Sequence, residues 1–294
     1  MAVIEQIGAD TYTITTDSVC MPFYRLDEHA IVLLDSGFYE ERNELLEALN
    51  SNALRVRAVL TSHAHYDHVG AHKMLRKEQG TCIYADEVSA GIMRSYASLR
   101  AWFPGYSASE LSALYPYMKM DVDTVFMSRD GEIQIEGRRF GVVSLPGHSF
   151  IHYGFTTEDN ILYCADLLFT EDLLNKGKMV FCEDIGENFR SILKLQKLAP
   201  EKLVMAHRGF SEDVEYLCEK NILYWEEQLQ KTKRCADTWV SFEEISRMTA
   251  GKRYRYLNSF QIVTRIVKAH VDCLVDRGEL LKNVRDNCIV YHAV

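Results

Sequence analysis

Early strands that pair as hairpins and later strands that alternate with helices predict a mixed α/β (α+β) chain folded as an αββα sandwich, not one doubly wound sheet. Three observations carry this expectation. Apolar, β-branched runs occupy Val3 to Thr15 and His29 to Leu34, similar runs alternate with amphipathic helical stretches from Asp35 to Ala206, and from Ser211 helical patterning takes over. We therefore expect a main domain over residues 1–210 and a helical segment over residues 211–294.

Taken in order, Val3 to Thr15 and His29 to Leu34 read as paired strands, closed by the turn Asp35-Ser36-Gly37. Tyr39 to Leu49 is an amphipathic helix with Leu45, Leu46 and Leu49 on one face, Arg55 to Thr61 a short apolar strand, and about His68 to Gln79 a second helix. After a strand at Thr81 to Ala85 comes a helical insertion over about 87–125, crowded with Tyr96, Trp102, Phe103, Tyr106, Tyr115 and Tyr117. Strands follow at Glu132 to Ile135, Phe140 to Leu145, Tyr153 to Thr157 and Ile161 to Cys164, then a helix at Glu187 to Leu198 and a strand at Lys202 to Ala206. Helices at about Glu212 to Arg234, Ser241 to Thr249 and Ser259 to Asp276 precede a turn at Gly278 and strands at Leu280 to Val284 and Cys288 to His292. That order is winged-helix-like.

Composition narrows the function. With 47% hydrophobic and 26% charged residues the chain must bury a core, so disorder, collagen and low-complexity scaffolds are excluded. Thirty-three Lys+Arg against 42 Asp+Glu give −9, the wrong sign for a general nucleic-acid binder. From Ser211 on, 13 basic and 13 acidic residues cancel, and only Lys252-Arg253-Tyr254-Arg255 is locally basic, so nucleic acid is not expected as a partner. The segment is expected instead to cap a site or make a homodimer contact. Neither a secretory leader pattern nor a membrane-spanning run is evident, and the eight cysteines are scattered without a Cys-x-x-Cys pair, so a cytoplasmic protein with reduced thiols is expected. Any metal must then be held by histidines and carboxylates.

Such residues are present. His63-Ala64-His65-Tyr66-Asp67-His68 stands at the end of the Arg55 to Thr61 strand. Residues two apart in an extended segment point the same way, so His63 and His65 can hold one ion together, while Asp67 and His68 lie where the chain turns and can face a second. Three imidazoles and a carboxylate in six residues make little sense as a solvated loop; a divalent metal resolves their crowding. Three more candidates each follow an apolar strand: His148 in Pro146-Gly147-His148-Ser149, Asp166 after Ile161 to Cys164, and His207 after Lys202 to Ala206. His29, His72, His270 and His292 are isolated and read as surface or hydrogen-bonded histidines. His152, four residues after a candidate ligand, has an additional claim to a supporting role.

The ordered series His63-x-His65-x-Asp67-His68, His148, Asp166 and His207, with Asp35 as a loop-bracing aspartate, resembles the five-motif signature of the metallo-β-lactamase-fold hydrolase superfamily. The resemblance spans roughly Val3 to Phe210. It implies that His63, His65 and His148 bind one metal ion, that Asp67, His68 and His207 bind a second, and that Asp166 bridges both. With His148 rather than Cys at the third motif, the set is similar to the glyoxalase II, lactonase and phosphodiesterase branches. His65 in place of Glu separates it from the flavodiiron oxidoreductases. Arg208-Gly209 and Phe150-Ile151 depart from the family's usual turns, and these turns border the substrate pocket.

What the resemblance implies is a dinuclear hydrolase with two divalent ions, Zn foremost and Fe or Mn as alternatives. A hydroxide bridging the ions would cleave a small-molecule thioester or related carboxylic ester or lactone, with Asp67 orienting it and taking its proton. Arg208 or a tyrosine of the insertion would meet the substrate, and Tyr106, Trp102 and His152 are further candidate contacts. The alternatives are a phosphodiesterase or nuclease of the same fold, and a ligand sensor whose C-terminal segment reads DNA.

Overall fold

Alternation of branched apolar residues with polar ones builds the opening strands. In the computed structural model, which describes residues 2–103, 105–127, 129–176, 179–207, 209–251 and 257–294, β1 (Val3–Gln6), β2 (Thr11–Thr15), β3 (Cys20–Arg25) and β4 (Ala30–Leu34) pair antiparallel in chain order. Helix α1 (Arg42–Ser51) then leads to β5 (Arg55–Leu60), and α2 (His72–Gln79) to β6 (Cys82–Asp86). Three short helices, α3 (Glu87–Met93), α4 (Tyr96–Trp102) and α5 (Ala108–Leu114), lead to β7 (Thr124–Phe126). These crossovers return parallel and complete a seven-stranded sheet ordered β1 to β7. A second sheet holds β8 (Gly131–Ile135), β9 (Arg138–Ser144), β10 (Tyr153–Thr156), β11 (Ile161–Tyr163), β12 (Lys202–Met205) and β13 (Gly209–Ser211), with only β11 and β12 parallel.

Strand parity assigns the core. On β4, Ile31 and Leu33 join the cluster that packs the helices α1 to α5, whereas Val32 and Leu34 join Phe140, Phe155, Tyr163 and Val204 between the sheets. On β5 the helix-side residues are Val56 and Val59 and the sheet-side residues Ala58 and Leu60. A strict alternation cannot produce that pattern. The pairing skips from Ile31 with Val56 to Val32 with Ala58, so Arg57 is the extra residue of a bulge, exposed and paired with Glu136 at 3.1 Å. The bulge sets the phase in which β5 delivers the His63 to His68 loop; without it every side chain beyond would face the other way.

The mixed α/β architecture is as expected, and the differences have local causes. Strand β3 was not expected because Pro22 interrupts its pattern. It is tolerated because the pairing of β3 with β4 begins only at Phe23, one residue later. Helix α2 starts at His72 rather than His68 because Ser36 Oγ takes the Ala71 amide (3.0 Å) and Gly37 carbonyl takes the Gly70 amide (2.9 Å), holding residues 68–71 as a turn. Short β7 and β13 lack enough residues for a periodic signal.

Two contact units are present. The first comprises Met1–Leu145, Ile151–Thr170 and Leu198–Val214, and so contains both sheets; the second comprises Pro146–Phe150, Glu171–Lys197 and Glu215–Val294. The second holds α6 (Glu171–Asn175) and most of α7 (Ile185–Leu198) and α8 (Val214–Lys233), then β14 (Val240–Ser241), α9 (Phe242–Ala250), α10 (Leu257–Asp276), β15 (Leu280–Arg285) and β16 (Cys288–Ala293). Gly278, with φ of 70°, closes α10, and Asp286-Asn287, both left-handed, form the two-residue turn between β15 and β16. The expected order of helices followed by a hairpin is observed, with β14 added as a third strand. The basic run Lys252 to Arg255 lies outside the described residues. Among the described residues no helix is long and apolar enough to cross a membrane.

His270 of α10 is buried, with Nδ1 2.8 Å from Thr232 Oγ1 and its ring edge-on to Trp225. Burial pulls its imidazole down from 6.5 to about 4. As pH falls the unfolded chain takes up this proton first, so the stabilisation from the neutral ring is whole above about 6.5 and is lost between there and about 4, at most roughly 3 kcal/mol. Melting curves of His270→Gln are expected to decline less steeply than wild type across that window.

Candidate metal centre

Asp35 follows β4 in the left-handed region, φ 59°, and its carboxylate is buried. Isolated, such a charge would be strongly destabilising. Here it accepts four hydrogen bonds: Ser62 amide to Oδ1 (2.7 Å), and Ser62 Oγ (2.5 Å), His68 Nδ1 (2.7 Å) and Tyr163 hydroxyl (2.8 Å) to Oδ2. Burial and the Asp35 charge push the Tyr163 phenol well above its ordinary value, so it donates.

These bonds choose the nitrogen that each histidine presents. Because His68 gives its Nδ1 proton to Asp35, Nε2 is the atom left to act as a ligand. Ser62 Oγ, already donating to Asp35, accepts from His63 Nδ1 at 3.0 Å, which leaves His63 Nε2 likewise. The loop around them is pegged by His72, whose Nδ1 and Nε2 sit 2.6 Å from Ser36 Oγ and 2.9 Å from Thr61 Oγ1. Burial pulls His72 down to about 4, so it stays neutral beside the candidate ligands. Gly70 passes so close to the Asp35 turn that an added Cβ would stand 2.2 Å from the Tyr39 nitrogen.

The structure brings two sets of donors together within the first unit. His63 Nε2 and His65 Nδ1 lie 2.9 Å apart with rings edge to face. Asp67, His68, Asp166 and His207 converge with their ligand atoms within 4.8 Å of one another. Asp166 and His207 are set side by side because the Ala206 amide bonds the Ala165 carbonyl at 2.9 Å, where β11 and β12 end. His68 Nε2 is 3.4 Å from Asp166 Oδ1, and His207 Nε2 is 3.4 Å from both Asp67 Oδ2 and Asp166 Oδ2. These gaps exceed good charge-assisted hydrogen bonds. They match the edge of a tetrahedron whose corners lie about 2.0–2.1 Å from a central cation, roughly 3.4 Å.

Electrostatics point the same way. Burial works against charge on His68 and His207, yet Asp166 and its carboxylate neighbours outweigh it and raise both imidazoles well above 6.5. Burial also opposes ionisation of Asp67, but His68 and His207 hold it down at about 2. The four groups demand positive charge. Protons on two imidazoles supply it in the chain alone, and a divalent cation would displace them. The donor set thus fits a metal ion of the kind its His and carboxylate ligands favour.

The remaining expected residues are placed as follows. His148 stands on the Pro146–Phe150 turn of the second unit, with Nδ1 3.1 Å from the Phe181 carbonyl. The turn's base is closed in the first unit by the Leu145 amide on the His152 carbonyl. His152 is buried, its Nε2 accepts the Asp166 amide at 3.2 Å, and its ring lies 4.9 Å from that of His63. Trp102 lies 5.5 Å from His65, and Tyr106 joins the loop through Tyr115, which packs on Tyr66. Arg208 lies outside the described residues. Sequence reasoning missed Ser62, Tyr163 and Thr61; the bonds that tie Ser62 and Tyr163 to Asp35 span 27 and 128 residues and leave no local pattern.

Residues 23–207 match the family model of the metallo-beta-lactamase superfamily. The hydroxyacylglutathione hydrolase GloC of Haemophilus influenzae is 28% identical over 145 residues, 49% of this chain and 63% of the relative. A hydroxyacylglutathione hydrolase of Chromohalobacter salexigens is 26% identical over 183 residues, 62% of this chain and 58% of the relative. The chain spans about three fifths of the length of these curated relatives. A beta-lactamase domain protein from Burkholderia ambifaria shares the fold at a TM-score of 0.75 and 18% identity, covering 99% of this chain and 93% of that one.

Replacing Asp35 tests the role of its carboxylate. Asp35→Asn is expected to weaken zinc uptake about 10–100-fold in competition with a chromophoric chelator, and Tyr163→Phe, which removes one donor of four, to weaken it less. Wild-type affinity in Asp35→Asn would contradict the assignment.

Proposed function

This chain belongs to the metallo-beta-lactamase superfamily, and on that footing we propose that it hydrolyses a small-molecule thioester or a related carboxylic ester or lactone, using two divalent metal ions, Zn foremost. The observation that carries the reading is the convergence of Asp67, His68, Asp166 and His207 at the ends of strands, with His68 aimed by Asp35. In this reading His63, His65 and His148 hold one ion, Asp67, His68 and His207 the other, and Asp166 serves both. The names of the relatives, hydroxyacylglutathione hydrolases, support a thioester over other acyl substrates.

Bound ions would activate water near neutral pH and polarise the acyl oxygen. The rest of the chemistry falls to the chain. Asp67 takes the proton of the attacking water and passes it to the leaving thiolate or alkoxide. His152 holds the backbone of Asp166. Trp102 beside His65 and the Tyr66, Tyr115 and Tyr106 series supply an aromatic wall, which favours an apolar or aromatic acyl group. Arg208, next to a ligand, is proposed to contact the substrate or brace its loop. The cytoplasm, expected from the scattered thiols, is the compartment we propose.

Elemental analysis of protein purified without added metal, run with thioesters, lactones and bis-p-nitrophenyl phosphate, tests this reading. Two metal equivalents and turnover of thioesters or lactones are expected, with one equivalent lost in His68→Ala. Cleavage of the phosphodiester alone would replace the reading with a phosphodiesterase. Salt-dependent duplex binding that survives His63→Ala would replace it with a sensor. Asp67→Asn should lower kcat/KM roughly 10²–10⁴-fold. Small polar thioesters turned over as fast as aromatic ones would remove the aromatic wall from the account.

A further inference from the structure

The turn that carries His148 is strapped to the segment 181–191 at several points. The Gly147 carbonyl accepts the amides of Glu183 (2.9 Å) and Asp184 (3.0 Å) and the Cys182 thiol, and Ser191 Oγ donates to the Pro146 carbonyl at 2.6 Å. Gly147 has φ of 137°, and a Cβ there would stand 2.5 Å from Asn188 Cα at the start of α7. A further link runs to the C-terminal segment. Glu183, only 5% exposed at its side chain, offers Oε2 to the Phe150 amide at 3.3 Å and Oε1 to the guanidinium of Arg265 on α10. The same guanidinium lies over the ring of Phe181, 4.9 Å from its centroid, and the Phe181 carbonyl meets His148 Nδ1.

We propose that Arg265 is a positioning residue for His148. The inference rests on the reading of His148 as a metal ligand. One buried carboxylate ties α10 to the amide two residues after His148, and one cation packed on Phe181 fixes the carbonyl that orients the imidazole. Glu183 needs its cation, because a carboxylate only 5% exposed would otherwise be a buried, uncompensated charge. Nothing in the local sequence around His148 encodes this dependence. It arises from a helix more than a hundred residues downstream.

The test is a thermodynamic cycle read by zinc binding. Affinities are measured by chelator competition for wild type, Arg265→Met, the charge-balanced pair Glu183→Gln with Arg265→Met, His148→Ala, and His148→Ala with Arg265→Met. Arg265→Met and the charge-balanced pair are expected to lose about 10–100-fold in affinity for one of two zinc ions, and Arg265→Lys to recover part of it. In the His148→Ala background Arg265→Met should change nothing further, because it acts through that imidazole. Melting curves give a second readout: the rise in Tm on adding zinc should shrink in the charge-balanced pair, whereas a purely structural role lowers the midpoints with and without zinc alike. Unchanged affinity in both Arg265 variants, or equal losses with and without His148, overturns the proposal while leaving the metal centre standing. Wild-type protein that takes up no zinc overturns the metal reading and this proposal with it.

Discussion

A single buried carboxylate organises this molecule. Asp35 cannot be desolvated alone, and four donors from two separated stretches of chain meet its demand: Ser62 twice, His68 and Tyr163. Each donor gives up one end and leaves the other for work. His68 and, through Ser62, His63 are both left with Nε2 as the ligand atom. Tyr163 brings the second sheet to the first, since it lies on β11 and Asp35 directly follows β4. The carboxylate that braces the site is therefore also a link between the sheets that carry it.

Much of the site was legible because strands announce themselves. His148, Asp166 and His207 each follow an apolar run, and the His63 to His68 series follows another, so periodicity alone located where the sheet edges would present them. The helices and hairpin of the C-terminal segment were legible for the same reason, with Gly278 and the Asp286-Asn287 turn as punctuation. The β3 strand was hidden by Pro22, whose cost vanishes only when the register against β4 is known. The bulge at Arg57 was hidden too, because an extra residue is visible only in the pairing of two strands. His72 read as an isolated hydrogen-bonded histidine, which is what it is, but its partners Ser36 and Thr61 gave no sign that the bond would peg the ligand loop.

The same contrast separates ligands from their supports. The proposed ligands are chemically conspicuous in the sequence, whereas their supports are ordinary residues made important by distance: a serine, a tyrosine, an arginine on α10. Arg265 and Glu183 illustrate this in the second unit as Asp35 and Tyr163 do in the first. In both places a buried charge is held by partners that also fix a histidine, so neutralising the charge and aiming the ring are one event.

The central claim is that these side chains surround cations. Anomalous diffraction at the zinc edge, from crystals grown with zinc, tests it without reference to any substrate. The account predicts a strong peak bonded to His68 Nε2, His207 Nε2 and Asp166, and a second bonded to His63 Nε2. Crystals that show no peak at either position, with the imidazoles bonded directly to the carboxylates, would contradict it.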